Sequence, residues 1–217
     1  MDKIIGMGNA LVDVLVTLQD DSLLDEMSLP KGSMQLIQED TLSEIRKYTS
    51  GMKIHRSTGG SAGNTVCALA ALGANPGFIG KVGQDETGAF FGDTLRQCGV
   101  NALLATCDLP SGIASTFIST DGERTFGTYL GAAATLRAED LSRKMFAGYN
   151  YLYIEGYLLQ DHDLMLRAVQ LAKEEGLQVC LDMASYNVVE AERDFFDQLI
   201  VKYVDIVFAN ESEALAY

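Results

Sequence analysis

The 217-residue sequence contains no tryptophan, three prolines, two histidines and four cysteines. With proline at that level and glycine at 21, collagen-like and low-complexity classes are excluded. Cys67, Cys98, Cys107 and Cys180 form no C-x-x-C pair, and with only His55 and His162 available no zinc-like spacing exists. Free thiols in a reducing compartment are the expectation. Basic side chains are also scarce, 16 against 30 acidic ones, which leaves a net charge of −14. A field of that sign repels the phosphates of nucleic acids and anionic lipid, so neither is an expected partner. The start, Met1-Asp2-Lys3, has no cationic leader, and the apolar stretch after it is broken by Gly6, Gly8, Asn9 and Asp13. Nothing there suits a signal peptide or a bilayer span, and a cytoplasmic location is expected.

What is present is a globular composition, 47% hydrophobic and 21% charged, at a length of about one large domain. A chain of that size buries roughly 70% of its unfolded surface and needs no covalent staple. The hydrophobic period switches repeatedly. Residues 4–16 read as one long strand, followed by a short strand at 34–37 and a helix at 41–48. A glycine-rich stretch then leads into an apolar helix at 65–72, a strand at 78–82 and a helix at 87–98. Strands at 115–120 and 123–129 flank Asp121-Gly122, a pair that favours a tight hairpin. From 151 onward the alternation is regular: strand 151–154, helix 161–175, strand 179–183, helix 190–203, strand 204–209. Strands alternating with helices of that length imply parallel βαβ units with helices on both faces of the sheet.

Several motifs carry possible chemistry. Gly6-Met7-Gly8 fails as a dinucleotide fingerprint, because the third position falls on Leu11 and the segment continues as a strand. Asp13 lies within an apolar strand, with Asn9 four residues earlier. A carboxylate removed from water needs donors, which vicinal sugar hydroxyls, backbone amides or an arginine can each supply. Gly59-Gly60-Ser61-Ala62-Gly63-Asn64 precedes a helix, where a ligand can approach the backbone and helix N–H groups are open. Asn64 either bonds a hydroxyl there or caps the helix. Asn210-x-x-Glu213 follows a strand, at the carboxyl end where open α/β sheets bind ligands. It reads either as a capping box or as a holder of hydrated magnesium.

Taken in order, Gly8-Asn9-Ala10-Leu11-Val12-Asp13, the 59–64 segment, Gly80-Lys81-Val82-Gly83-Gln84-Asp85-x-x-Gly88 and Asn210-x-x-Glu213 resemble the ribokinase (PfkB) family of carbohydrate and nucleoside kinases. The likeness is greatest to its adenosine kinase branch. Asp182-Met183-Ala184-Ser185-Tyr186 keeps only the Asp of the D-x-N-x-R segment common in the family's sugar kinases. The resemblance implies a doubly wound, mostly parallel α/β domain over 1–217, with a small β lid from strands at about 15–37 and 100–130. It implies transfer of the γ-phosphoryl group of ATP, with Mg²⁺, to a primary hydroxymethyl of an adenosine-like nucleoside. By the same resemblance Asn9 and Asp13 hold ribose hydroxyls, Gly59, Gly60 and Ser61 pass backbone against the sugar, and Asn64 binds a hydroxyl. Gln35 and Ile37 approach from the lid. Asn210 and Glu213 organise the phosphates, Glu213 reaching the metal through water. A homodimer through the lid fits the family pattern. The family's G-A-G-D segment, carrying the catalytic base, lies well beyond N-x-x-E, and no such segment occurs here. The expectation is a C-terminally incomplete fold, inactive by itself. A sugar kinase, or a non-catalytic riboside-binding module, are the alternatives.

Overall fold

The computed structural model describes residues 2–217. Among them the chain order is β1 (Ile4–Met7), β2 (Leu11–Thr17), α1 (Ser22–Glu26), β3 (Met34–Leu36), α2 (Glu39–Tyr48), β4 (Ile54–Thr58) and α3 (Ser61–Ala71). Next come β5 (Gly77–Gly83), α4 (Glu86–Gln97), β6 (Asn101–Cys107), β7 (Gly112–Ile118) and β8 (Arg124–Tyr129). Short 3₁₀ turns surround β9 (Tyr151–Glu155), and the chain continues through α5 (His162–Glu174), β10 (Gln178–Asp182), α6 (Tyr186–Lys202), β11 (Ile206–Phe208) and α7 (Glu211–Ala216).

Two sheets result. The larger runs β11-β10-β9-β1-β5-β6 with every pairing parallel. The smaller is mixed and runs β3-β8-β7-β2-β4. This is the α/β class read from the alternating period, with a second sheet beside the parallel one. Phe146, Leu152, Ile154, Met165, Val179 and Phe196 pack one face of the parallel sheet. Phe78 and Phe91 meet edge to face at 5.5 Å, joined by Val66 and Leu95 from α3 and α4.

The segment 4–16 is not one strand. Residues 4–7 pair with β5 and β9, whereas 11–17 pair with β4 and β7, so the chain leaves one sheet and enters the other at 8–10. Alternation along a strand is blind to a change of partner, and the apolar pattern runs through the break. Two lid boundaries also differ. Residues 101–107 add β6 to the parallel sheet, and β4, a strand with exposed Ile54, His55 and Arg56, joins the small sheet without an alternating signal. The Asp121-Gly122 hairpin forms between antiparallel β7 and β8, with Gly122 at φ +86°.

Candidate functional site

Along the carboxyl edge of the parallel sheet, adjacent strands present Asn9 after β1, Glu155 ending β9, Asp182 ending β10 and Asn210 after β11. Asn9 is 5% exposed, and its Nδ2 donates to Glu155 Oε1 at 2.9 Å. The other oxygen of Glu155 accepts from the Ala62 amide at 3.3 Å. Glu155 therefore acts as an N-cap for α3 supplied from another strand, where Gly60 has no side chain to offer. Burial raises the Glu155 carboxyl above its usual range, and the Asn9 and Ala62 donors pull against that shift. Ser61 Oγ sits buried close by, without a hydrogen bond of full geometry but near enough to Glu155 to favour its charged form.

The glycines are fixed by these carboxylates. A methyl group on Gly8 would stand 2.6 Å from Glu155 Oε2, and one on Gly59 would stand 2.1 Å from Asp13 Oδ1. Gly60 adopts φ +77° with the Asn9 carbonyl 2.5 Å from any added Cβ. Asp13 thus lies directly against the backbone of the glycine pair. No described residue donates a hydrogen bond to it, and burial pushes its carboxyl up to about 6. The glycine-rich segment is shorter as a loop than the sequence suggests, because α3 begins at Ser61 and Asn64 lies on its first turn, exposed.

Register across the small sheet decides which side chains share Asp13's face. Leu36, Thr128, Ala114, Asp13 and Ser57 stand opposite one another, and so do Gln35, Gly127, Ser115, Val14 and Arg56 on the reverse face. Gln35 and Ile37 therefore do not face the site. Ile37 packs with Leu42, Ile45 and Leu29 behind the sheet, while Met34 and Leu36 line the cleft. That cleft, about 820 Å³, lies between the sheets. Asn9 and Glu155 close one side, and Leu11, Leu130, Ala133 and Leu136 give it an apolar wall.

Asn210 and Glu213 hold each other. Asn210 N and Nδ2 donate to the two Glu213 oxygens at 2.8 Å each, and Glu213 N donates to Asn210 Oδ1 at 2.9 Å, a complete capping box. Each Glu213 oxygen keeps one lone pair, enough for a metal-bound water. Among the described residues no three His, Cys, Asp or Glu side chains cluster as direct metal ligands. The Gly80–Gly88 motif is architectural: Asp85 accepts from Gly88 N at 2.7 Å, Ser111 N at 2.8 Å and Ser111 Oγ at 2.6 Å. Burial works against the Asp85 charge, and these donors outweigh it and hold the carboxyl below its usual value.

Glu155 is the central residue that sequence reasoning passed over. Its signal was the same as Asp13's, a carboxylate closing the apolar run 151–154, followed by Gly156. Met34 and Leu36 had no such signal, since alternation shows which residues share a face but not which face is buried against a ligand.

Comparison with known proteins places the chain among relatives of known fold. Guanosine-inosine kinase of Escherichia coli (strain K12) is 25% identical over 98% of this chain and 52% of its own length. Adenosine kinase of Dictyostelium discoideum is 30% identical over 98% of this chain and 64% of its own. The crystal structure of adenosine kinase from Sinorhizobium meliloti superimposes with a TM-score of 0.86 at 34% identity, covering 99% of this chain and 67% of that one. The chain thus spans about half to two thirds of the length of these relatives. No helix among the described residues is long and apolar enough to cross a membrane. The profile of the pfkB family carbohydrate kinases matches residues 34–217, and the chain belongs to that family.

Proposed function

We propose that these residues form the acceptor-binding part of a nucleoside kinase, which transfers the γ-phosphoryl group of ATP to the primary hydroxyl of a purine nucleoside. The observation that carries the proposal is Asp13, a half-buried carboxylate with no donor from the chain, set against the Gly59 backbone. Two vicinal hydroxyls supply the missing donors, and charge-assisted bonds of that kind are the strong ones. Asn9, fixed by Glu155, keeps its Oδ1 for a further hydroxyl. The apolar wall and the cleft volume favour a nucleoside over a bare sugar, because a base needs desolvated surface to rest on. Likeness to guanosine-inosine and adenosine kinases points the same way.

Glu213 fits magnesium through water only. The bound ion supplies charge neutralisation to the transferring phosphates, while this chain's residues bind and orient the acceptor. With no G-A-G-D segment in the sequence, the 217 residues alone are proposed to bind nucleoside without appreciable turnover. Titration calorimetry with adenosine, guanosine, inosine, ribose and fructose tests the reading, alongside a phosphotransfer assay with Mg-ATP. Purine nucleosides are expected to bind, the free sugars at least about tenfold more weakly. Tight binding of ribose or fructose without nucleoside binding would transfer the assignment to a sugar kinase.

A further inference from the structure

The nucleoside reading uses one face of the small sheet. Behind the reverse face lies a cavity of about 460 Å³, within the range of small-molecule pockets. Its floor is Val12, Val14 and Val16 of β2 with Ile113 of β7, and its walls come from Leu42, Ile45 and Arg46 of α2 and Phe90 of α4. Polar side chains also stand on this lining, Ser115, Arg46, Arg56, Asp85 and Glu86 among them. Ser115 is 2% exposed, lines the cavity, and has no hydrogen-bond partner for its Oγ among the described residues. Its Oγ is not sealed in the packed interior but opens to the cavity, where a ligand can reach it. Arg46 also lines the cavity and makes no close ion pair, although its charge favours the nearby Asp85 carboxylate, whereas Arg56 is already paired with Glu86 at 3.3 Å. Asp85, the remaining carboxylate on the lining, already accepts three hydrogen bonds. Arg46 and Ser115 thus leave donors open toward the cavity.

We propose that the cavity is a second ligand site, which takes a compact aliphatic or aryl carboxylate. Its apolar body lies on Val14 and Val16, and its carboxylate accepts from Arg46 and Ser115. A guanidinium matches a carboxylate in a planar, two-bond geometry, and the surrounding apolar surface strengthens that pairing. The site lies back to back with Asp13: Val12 and Val14 are its neighbours in β2, on the other face of the same strand. Filling the reverse face fixes β2 and couples the two sites, so the carboxylate changes nucleoside affinity. This coupling, unlike the binding itself, rests on the nucleoside reading.

Valine-methyl NMR of the 217-residue chain, titrated with phenylacetate and with the uncharged phenylacetamide, tests the site. Phenylacetate is expected to shift the Val14 and Val16 methyl signals saturably, at least about tenfold more tightly than the amide. In Arg46→Gln, an exposed position, that preference for the acid disappears. Ser115→Ala is expected to weaken phenylacetate binding with Tm little changed, since the hydroxyl opens to the cavity. Absence of saturable shifts at these methyls would overturn the site, as would equal affinity for acid and amide or an unchanged preference in Arg46→Gln. Adenosine affinity, measured with and without saturating phenylacetate, is expected to change at least threefold. An unchanged affinity overturns the coupling. Failure of adenosine to bind at all would tell against the nucleoside reading, with the methyl shifts still deciding the cavity.

Discussion

At Asp13 a carboxylate half withdrawn from water receives no donor from the described residues, and this arrangement costs stability when the group is ionised. The folded-state value, near 6, lies above the ordinary 3.8. Because the folded state binds the proton more tightly, Asp13's contribution to stability is full below pH 3.8 and is lost as pH rises through about 6. Ligand binding runs the other way, since hydroxyls donate only to the ionised form. Nucleoside affinity is expected to be flat above about pH 7 and to fall toward tenfold per pH unit below 6, as read by calorimetry across that range. Asp13→Asn should abolish this pH dependence and weaken binding at least about 30-fold, while raising Tm at pH 8. A weaker ligand without a gain in Tm would mean that the chain does supply donors to Asp13. Glu155 behaves oppositely. Its removal in Glu155→Ala strands the Asn9 amide and the Ala62 N–H in the interior, at about 1–3 kcal/mol each. Urea unfolding should therefore show a lower midpoint at unchanged slope, with Glu155→Gln recovering part of the loss.

Among the elements, β3 carries the sharpest consequence of register. Its three residues lie at the edge of the small sheet, with Met34 and Leu36 toward the cleft and Gln35 on the side of Ser115 and Val14. Leu36→Ala is expected to weaken nucleoside binding about three- to tenfold, by removing apolar surface from the base side of the cleft. Gln35→Ala should leave it unchanged, and the reverse result would show that the strand is shifted by one residue. The sequence placed a short strand here, but the choice between its faces rests on three pairings, β3 with β8, β8 with β7 and β7 with β2. Two of those strands, β7 at Gly112–Ile118 and β8 at Arg124–Tyr129, lie far along the chain from β3 at Met34–Leu36. By contrast, the Asn210–Glu213 capping box was legible from four letters, because every group in it is local.

At the scale of the 217-residue chain, one edge of the parallel sheet stands out. Among the described residues β11 forms that edge, and Ile206, Val207 and Phe208 are 39%, 39% and 50% exposed. An apolar edge strand with open backbone groups is a template for pairing, and the net charge of −14 opposes it by repulsion between copies. Self-association of the 217-residue chain should therefore grow as salt screens that charge. Sedimentation velocity between about 20 mM and 500 mM NaCl is the check, and Val207→Lys should suppress the association. Association that weakens with salt would place the contact on charged surface instead.

Composition, period and local motifs were sufficient to determine the α/β class, the order of most strands and helices, and the Asp121-Gly122 hairpin. Those features depend on the intrinsic conformational preferences of neighbouring residues. Only the tertiary structure decided that residues 4–16 serve two sheets, that Glu155 holds Asn9 and caps α3, and that Met34 and Leu36 face the cleft. Each of these depends on which distant strand lies alongside, and hydrogen bonds between backbones leave no mark on the side-chain pattern that a sequence displays.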